Sequence, residues 1–63
     1  MDNRKIAFQC LTIASKFTMA KTVEEQVKLS AALSILAVAI SADEKDKGRL
    51  VSTAKTIASM AKN

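Results

Sequence analysis

Residues 29–42, with the sequence LSAALSILAVAISA, decide the fold of this chain. Their only polar side chains are three serines, and their apolar side chains point in every direction around a helix. A helix that is apolar on all sides has to be covered on all sides. The rest of a 63-residue chain offers little material for that cover. The stretch therefore predicts a core that is completed by self-association or by docking on a partner.

The length of the chain supports the same prediction. A chain of about 60 residues buries only about 60% of the surface that its unfolded form exposes, so it is marginally stable alone. Small proteins compensate with disulfides, a metal or oligomerisation. Cys10 is the single cysteine and histidine is absent, so we predict a homodimer. Cys10 itself lies on an apolar helical face, where we expect a small buried hydrophobic residue.

The composition predicts an all-α fold, because proline is absent and glycine occurs once, whereas alanine occurs eleven times. Residues 1–63 form a single helical domain in this interpretation. The first helix covers residues 3–20, with Asp2 as its N-cap. Its apolar residues recur at spacings of four and three; they are Ile6, Cys10, Ile13, Phe17 and Ala20. The second helix begins at Thr22, where Thr22 and Glu25 match a capping box, and extends to Ser41.

Two stripes of the second helix differ in the size of their side chains. The bulky stripe is predicted to form the oligomer interface and consists of Leu29, Leu33, Leu36 and Ile40. The opposite stripe of small residues consists of Ser30, Ser34, Ala37 and Ser41. Small residues let two helix backbones approach closely. This second stripe predicts either a tightly packed neighbouring helix or simple filling against the bulky side chains of the first helix.

The third segment begins with charged residues at 43–49 and continues with an apolar stripe. That stripe consists of Leu50, Ala54, Ile57 and Ala61, flanked by Val51, Ala58 and Met60. Ser41 and Glu44 match a second capping box, which favours a separate third helix. The apolar spacing nevertheless continues unbroken from residue 29 to residue 61, so one long helix over 23–62 is the alternative. A break near Ala42 is favoured, because Gly48 inside a long helix would cost about 1 kcal/mol. The chain is thus a helical hairpin or a three-helix unit, completed by homodimerisation into a helical bundle.

The chain lacks the residue types that the usual catalytic and metal sites need. Without histidine and with one cysteine, the usual zinc sites and the Ser-His-Asp triad cannot be built. The six acidic residues lie near predicted helix starts, where capping and the helix dipole account for them. A lone Gly48 does not make a phosphate-binding loop. We therefore predict a protein that is not an enzyme and that holds neither a metal nor a cofactor.

The net charge of +4 suggests a second class of function. A basic rim that could contact phosphates is predicted from Lys5, Lys16, Lys45 and Arg49. Tryptophan and tyrosine, which stack on bases, are absent. A small basic nucleic-acid-binding protein is therefore the alternative function, and an amphipathic protein of the membrane surface is the third.

Membrane and export signals are weak in this sequence. The apolar run of 14 residues is shorter than the roughly 20 that span a bilayer. The N-terminus resembles a signal peptide in its charge pattern, but Gln9, Thr12 and Lys16 interrupt the apolar part. We expect a cytoplasmic protein without a membrane span.

The first helix carries a second apolar face, formed by Phe8, Leu11 and Met19 around Ser15. Aromatic residues and methionine are enriched where proteins meet. This face predicts either closure of the homodimer or docking of a protein partner of unknown identity. Our primary interpretation is a small protein–protein interaction module, an inhibitor, adaptor or regulator of the type carried by phages and plasmids, that acts by surface binding as a homo-oligomer.

Overall fold

Three α-helices make up the fold in a computed structural model that describes residues 2–61. They are α1 (Asn3–Met19), α2 (Val23–Ser41) and α3 (Glu44–Ser59). Connections of two or three residues join them, and such short connections place successive helices antiparallel. No strand occurs within the described residues. The all-α prediction is confirmed, in its three-helix form.

The first two helices begin at the caps that the sequence predicts. The carboxylate of Asp2 accepts a hydrogen bond from the backbone N–H of Arg4 at 2.9 Å. At α2, the Thr22 hydroxyl accepts from the backbone N–H of Glu25 at 3.1 Å, and the Glu25 carboxylate accepts from the Thr22 N–H at 3.1 Å. Each cap occupies N–H groups that have no partner within the helix.

The break between α2 and α3 lies at Ala42, whose backbone is extended (φ −78°, ψ 163°). The alternative of one long helix is therefore wrong. The predicted capping box of Ser41 with Glu44 is also wrong, because Ser41 still belongs to α2 and its hydroxyl donates to the carbonyl of Val38. Asp43 is the N-cap of α3, but its side chain accepts no capping hydrogen bond.

The second helix is the central element of the fold, since it packs against both α1 and α3, which contact each other only weakly. The buried core is thin and half of it is alanine. It consists of Ile6, Ile13, Leu29, Ala32, Leu36, Ala39, Val51, Ala54, Ala58 and Ala61. Alanine at the helix contacts lets the three backbones approach closely, which is how a short chain covers most of one side of α2.

The predicted apolar stripes are only partly the buried ones. In α1, Ile6 and Ile13 are buried, but Phe17 remains 36% exposed. In α3 the buried face is turned towards Val51, while Leu50 and Ile57 lie half-buried at its edge. In α3, the smaller apolar side chains thus lie in the core and the larger ones at its margin.

One lysine joins all three helices at the end of the bundle where α1 begins. The Lys47 ammonium donates to the side-chain carbonyl of Asn3 at 2.6 Å and to the backbone carbonyl of Ile40 at 2.8 Å. Two charge-assisted bonds to helices α1 and α2 explain why a lysine continues the apolar spacing of α3.

Candidate functional site

The outward side of α1 carries three large apolar side chains, as the sequence predicts. Phe8, Leu11 and Met19 are 66%, 68% and 70% exposed, and together with Ser15 they form what we call the α1 outer face. They follow helical spacings of three, four and four, so they lie along one line of the helix. Beside them the Thr12 hydroxyl donates to the carbonyl of Phe8 at 3.1 Å, so its hydrogen is already bonded within the helix.

The outward side of α2 forms a second unpartnered surface. All its residues are exposed, and we call it the α2 outer face; it consists of Val27, Ser30, Ala31, Ser34, Ala37, Val38 and Ser41. The Ser34 hydroxyl donates to the carbonyl of Ser30 at 3.1 Å. This face includes the stripe of small residues that the sequence singled out, and that stripe does not fill space against α1.

The bulky stripe that the sequence assigned to the oligomer interface lies mostly within the chain. Leu29 and Leu36 are 3% and 0% exposed, and Leu33 packs half-buried against the same core. Ile40 is 42% exposed. Leu29 and Leu36 have no surface left for a second copy in this arrangement, so the self-association that we propose below uses the α2 outer face instead.

The four predicted basic residues do not form one rim. Lys16 lies at the end of the bundle near Met19 and Ala58. Lys45 is on the exposed side of α3, and Arg49 forms an ion pair with Asp46 at 3.1 Å. Such exposed pairs contribute little to stability.

Lys5 instead joins a different basic cluster, in a groove of about 500 Å³ between α1 and α3. The groove has three basic side chains and one acidic side chain in its lining, which consists of Asp2, Arg4, Lys5, Phe8, Gln9, Val51 and Lys55. The sequence reasoning missed Lys55, because only the packing of α3 against the other helices brings it to Lys5. We call this surface the basic groove.

Asp2, the acidic residue in the lining of the basic groove, already forms an ion pair with Arg4. The backbone N–H of Arg4, then its guanidinium at 3.2 Å, hold the pKa of Asp2 below its ordinary value. Asp2 therefore stays ionised and partly neutralises Arg4, which leaves Lys5 and Lys55 as the cations that an anionic ligand would meet.

Among residues 2–61, no three histidine, cysteine or acidic side chains come together as a metal site would require. No helix in that range combines the length and apolar character needed to cross a bilayer. Cys10 is a free thiol, half-buried at the edge of the core.

No family model, characterised protein or solved structure matches this chain. The candidate functional sites are therefore the α1 outer face, the α2 outer face and the basic groove.

Proposed function

We propose that this chain is a small cytoplasmic protein–protein interaction module, an inhibitor, adaptor or regulator of the type carried by phages and plasmids, that acts by surface binding as a homo-oligomer. One observation carries the proposal. Five side chains larger than alanine are buried within residues 2–61, whereas nine large apolar side chains are exposed. A surface richer in large apolar side chains than the core beneath it is typical of a protein that is covered by other chains.

The α1 outer face is the part of this surface that fits a foreign protein partner. Phe8 and Met19 are eleven residues apart, so their positions are about 16 Å from each other along the helix. An apolar line of that length suits a groove or a helix on the partner. Phe8 is the expected anchor, since aromatic residues dominate the binding energy of many interfaces.

Self-association is supported by the two apolar outer faces on neighbouring helices. The free thiol of Cys10 fits a reducing cytoplasm, in which disulfides are rare. Sedimentation equilibrium over a wide range of protein concentrations tests the proposal. We expect a mass of at least twice that of the chain at the upper end, and a folded monomer at every concentration would contradict it.

The partner-docking role is tested with Phe8→Ala, and Met60→Ala is the matched control because Met60 is also large, apolar and 57% exposed. Both tagged variants are compared with the original chain in capture from nuclease-treated source cells. Phe8→Ala should retain helicity and lose at least about tenfold in partner affinity, the equivalent of 1.4 kcal/mol. Equal capture by both variants would remove the α1 outer face from the proposal.

The same substitution separates partner docking from closure of the homodimer. If Phe8 lies in the homodimer interface, Phe8→Ala lowers the melting temperature by an amount that depends on protein concentration, because oligomerisation stabilises by mass action. If Phe8 serves a foreign partner, the melting temperatures of the variant and of the original chain change by the same amount when the protein concentration changes. Thermal melts at two concentrations distinguish these cases.

Nucleic-acid binding is the second candidate, and the basic groove is the observation that favours it. Lys5, Lys55 and the ring of Phe8 line the same groove. Ammonium groups that contact phosphates beside an aromatic ring that stacks on bases are the usual elements of single-strand binding.

The groove predicts a specific dependence on salt and on two lysines. Affinity for single-stranded DNA or RNA should fall with salt, with a slope of about 0.7 per neutralised phosphate on a double-logarithmic plot. Lys5→Gln combined with Lys55→Gln should abolish binding. Lys45→Gln combined with Arg49→Gln removes the same charge from the exposed side of α3 and serves as the control. Equal effects of the two double variants would exclude the groove as the binding site.

A further inference from the structure

The α2 outer face differs from the other outward surfaces in its charge. Between Lys28 and Asp43 the sequence contains no charged residue, whereas α1 and α3 both carry lysine and arginine on exposed positions. Each copy of the chain has a net charge of +4. In a two-fold interface the same patch of both copies meets itself, so a basic face would oppose a basic face. The α2 outer face is an extended uncharged surface on which two copies would meet without that repulsion.

We propose that the α2 outer face pairs two copies of this chain as antiparallel helices, with the two-fold axis passing at Ser34. The proposal deepens the homo-oligomeric function proposed above and rests on it. The occupant of the face is thus a second copy, and the contact is α2 against α2.

The order of side-chain sizes about Ser34 fits the antiparallel direction. In that arrangement each residue lies level with the residue equally far from Ser34 on the other side, in the second copy. Val27 is level with Ser41, and residues 30–31 are level with residues 37–38. Every valine then meets serine or alanine, and large residues alternate with small ones across the contact, as close packing requires.

The parallel direction fits less well, because every residue would be level with its own copy. Val27 would oppose Val27 and Ser34 would oppose Ser34, so that wide and narrow layers alternate. Wide layers hold two helices apart and leave voids beside the narrow ones, with a loss of contact energy.

Two of the three hydroxyl groups on the face do not oppose its burial. Ser34 donates to the carbonyl of Ser30 at 3.1 Å, and Ser41 donates to the carbonyl of Val38 at 3.4 Å. Donors that are already bonded within the helix are not stranded when water leaves the surface.

The size of the face predicts a weak dimer. Residues 27–41 extend over about 21 Å of helix, and a helix with its side chains is about 10–12 Å wide. The face therefore covers roughly 210–250 Å². This area is far below the roughly 800 Å² per partner of a standard interface. We therefore expect a weak, transient dimer that forms only at high protein concentration.

Ser34→Glu tests the pairing directly, since it places two carboxylates on the two-fold axis. Ser52→Glu is the matched control, because Ser52 is also an exposed serine in the middle of a helix and lies outside the three candidate surfaces. Sedimentation equilibrium should show at least about tenfold weaker dimerisation for Ser34→Glu and little change for Ser52→Glu. Circular dichroism checks that both variants keep their helicity.

The direction of the pair is tested by a charge exchange at Ser30 and Ala37. In the antiparallel dimer, residue 30 of one copy lies beside residue 37 of the other, whereas within one chain the two lie two turns apart. Ser30→Glu and Ala37→Lys should each weaken the dimer, and the double variant should restore it through Glu–Lys pairs between the copies. A double variant weaker than either single variant would overturn the antiparallel arrangement.

The outcomes separate this inference from the function on which it rests. A chain that stays monomeric at every concentration overturns both. A dimer that Ser34→Glu leaves intact overturns the α2 pairing and keeps the homo-oligomer, with its interface on another face. Loss of the dimer in Ser34→Glu alone, followed by rescue in the charge exchange, supports both.

Discussion

Replacement of Leu36 by alanine tests whether the bulky side of α2 belongs to the core of a single chain. The Leu36 side chain is 0% exposed. The substitution removes three carbons, worth about 0.8 kcal/mol each when buried, and the remaining cavity raises the loss to about 3–5 kcal/mol. The total stability of 63 residues is about 3–9 kcal/mol at the usual 0.05–0.15 kcal/mol per residue. Leu36→Ala should therefore lose at least about a third of this stability, and it should be unfolded if the original chain lies at the lower end of the range.

Leu11→Ala is the matched control, because Leu11 has the same side chain, lies in a helix and is 68% exposed. It should lose less than about 1 kcal/mol, since only about a third of the same transfer energy is at stake. Urea titrations followed by far-UV circular dichroism give both values. The reasoning fails if the two variants lose equal stability, or if the loss in Leu36→Ala shrinks as the protein concentration rises, because such dependence would place Leu36 between copies.

Three further predictions concern the helix ends and the single glycine. Thr22→Ala should lower the free energy of unfolding by about 1 kcal/mol because it removes the α2 cap, and Thr22→Ser should retain most of it in the same urea titration. Gly48→Ala should raise the free energy of unfolding by about 0.5–1 kcal/mol, because alanine is the better helix former and its methyl group would meet no atom within 4 Å. An unchanged melting curve would show that Gly48 is strained or that this part of α3 is already frayed. The lowered pKa of Asp2 means that its cap is fully present above the ordinary pKa of the carboxyl group and is lost as the pH falls through the lowered value. The amide NMR signal of Arg4 should follow this titration and should stay flat in Asp2→Asn.

The sequence predicts the helix ends better than the centre of the core. The caps at Asp2 and Thr22 are local, because each needs only one side chain and an N–H two or three residues away. The cap at Ser41 fails because α2 continues through Ser41, so that Asp43 becomes the N-cap of α3. Which apolar stripe is buried depends on the position of the neighbouring helices, and helical spacing alone does not fix the rotation of α3 towards Val51.

Some of the candidate surfaces could likewise be predicted from the sequence, whereas one depends on tertiary packing. The exposure of Phe8 and Met19 could be predicted, because a helix of this length cannot bury two opposite faces in so small a protein. The basic groove could not, because Lys5 and Lys55 are 50 residues apart in the sequence and only tertiary packing brings them together. The uncharged run through α2 did contain a signal for its outer face, in the seven-residue spacing of Val27, Ser34 and Ser41.

The central position of α2 has a consequence for how the chain folds and opens. Its packing joins helices that are consecutive in the sequence, so its contacts are local, and chains with such low contact order fold within microseconds to milliseconds. Because α1 and α3 barely contact each other, α1 can detach while α2 and α3 stay paired. Amide protons of α1 should then exchange with solvent faster than those at the centre of α2. Each such opening would uncover the side of α2 that packs against α1, which gives the chain a transient apolar surface at equilibrium with its folded state.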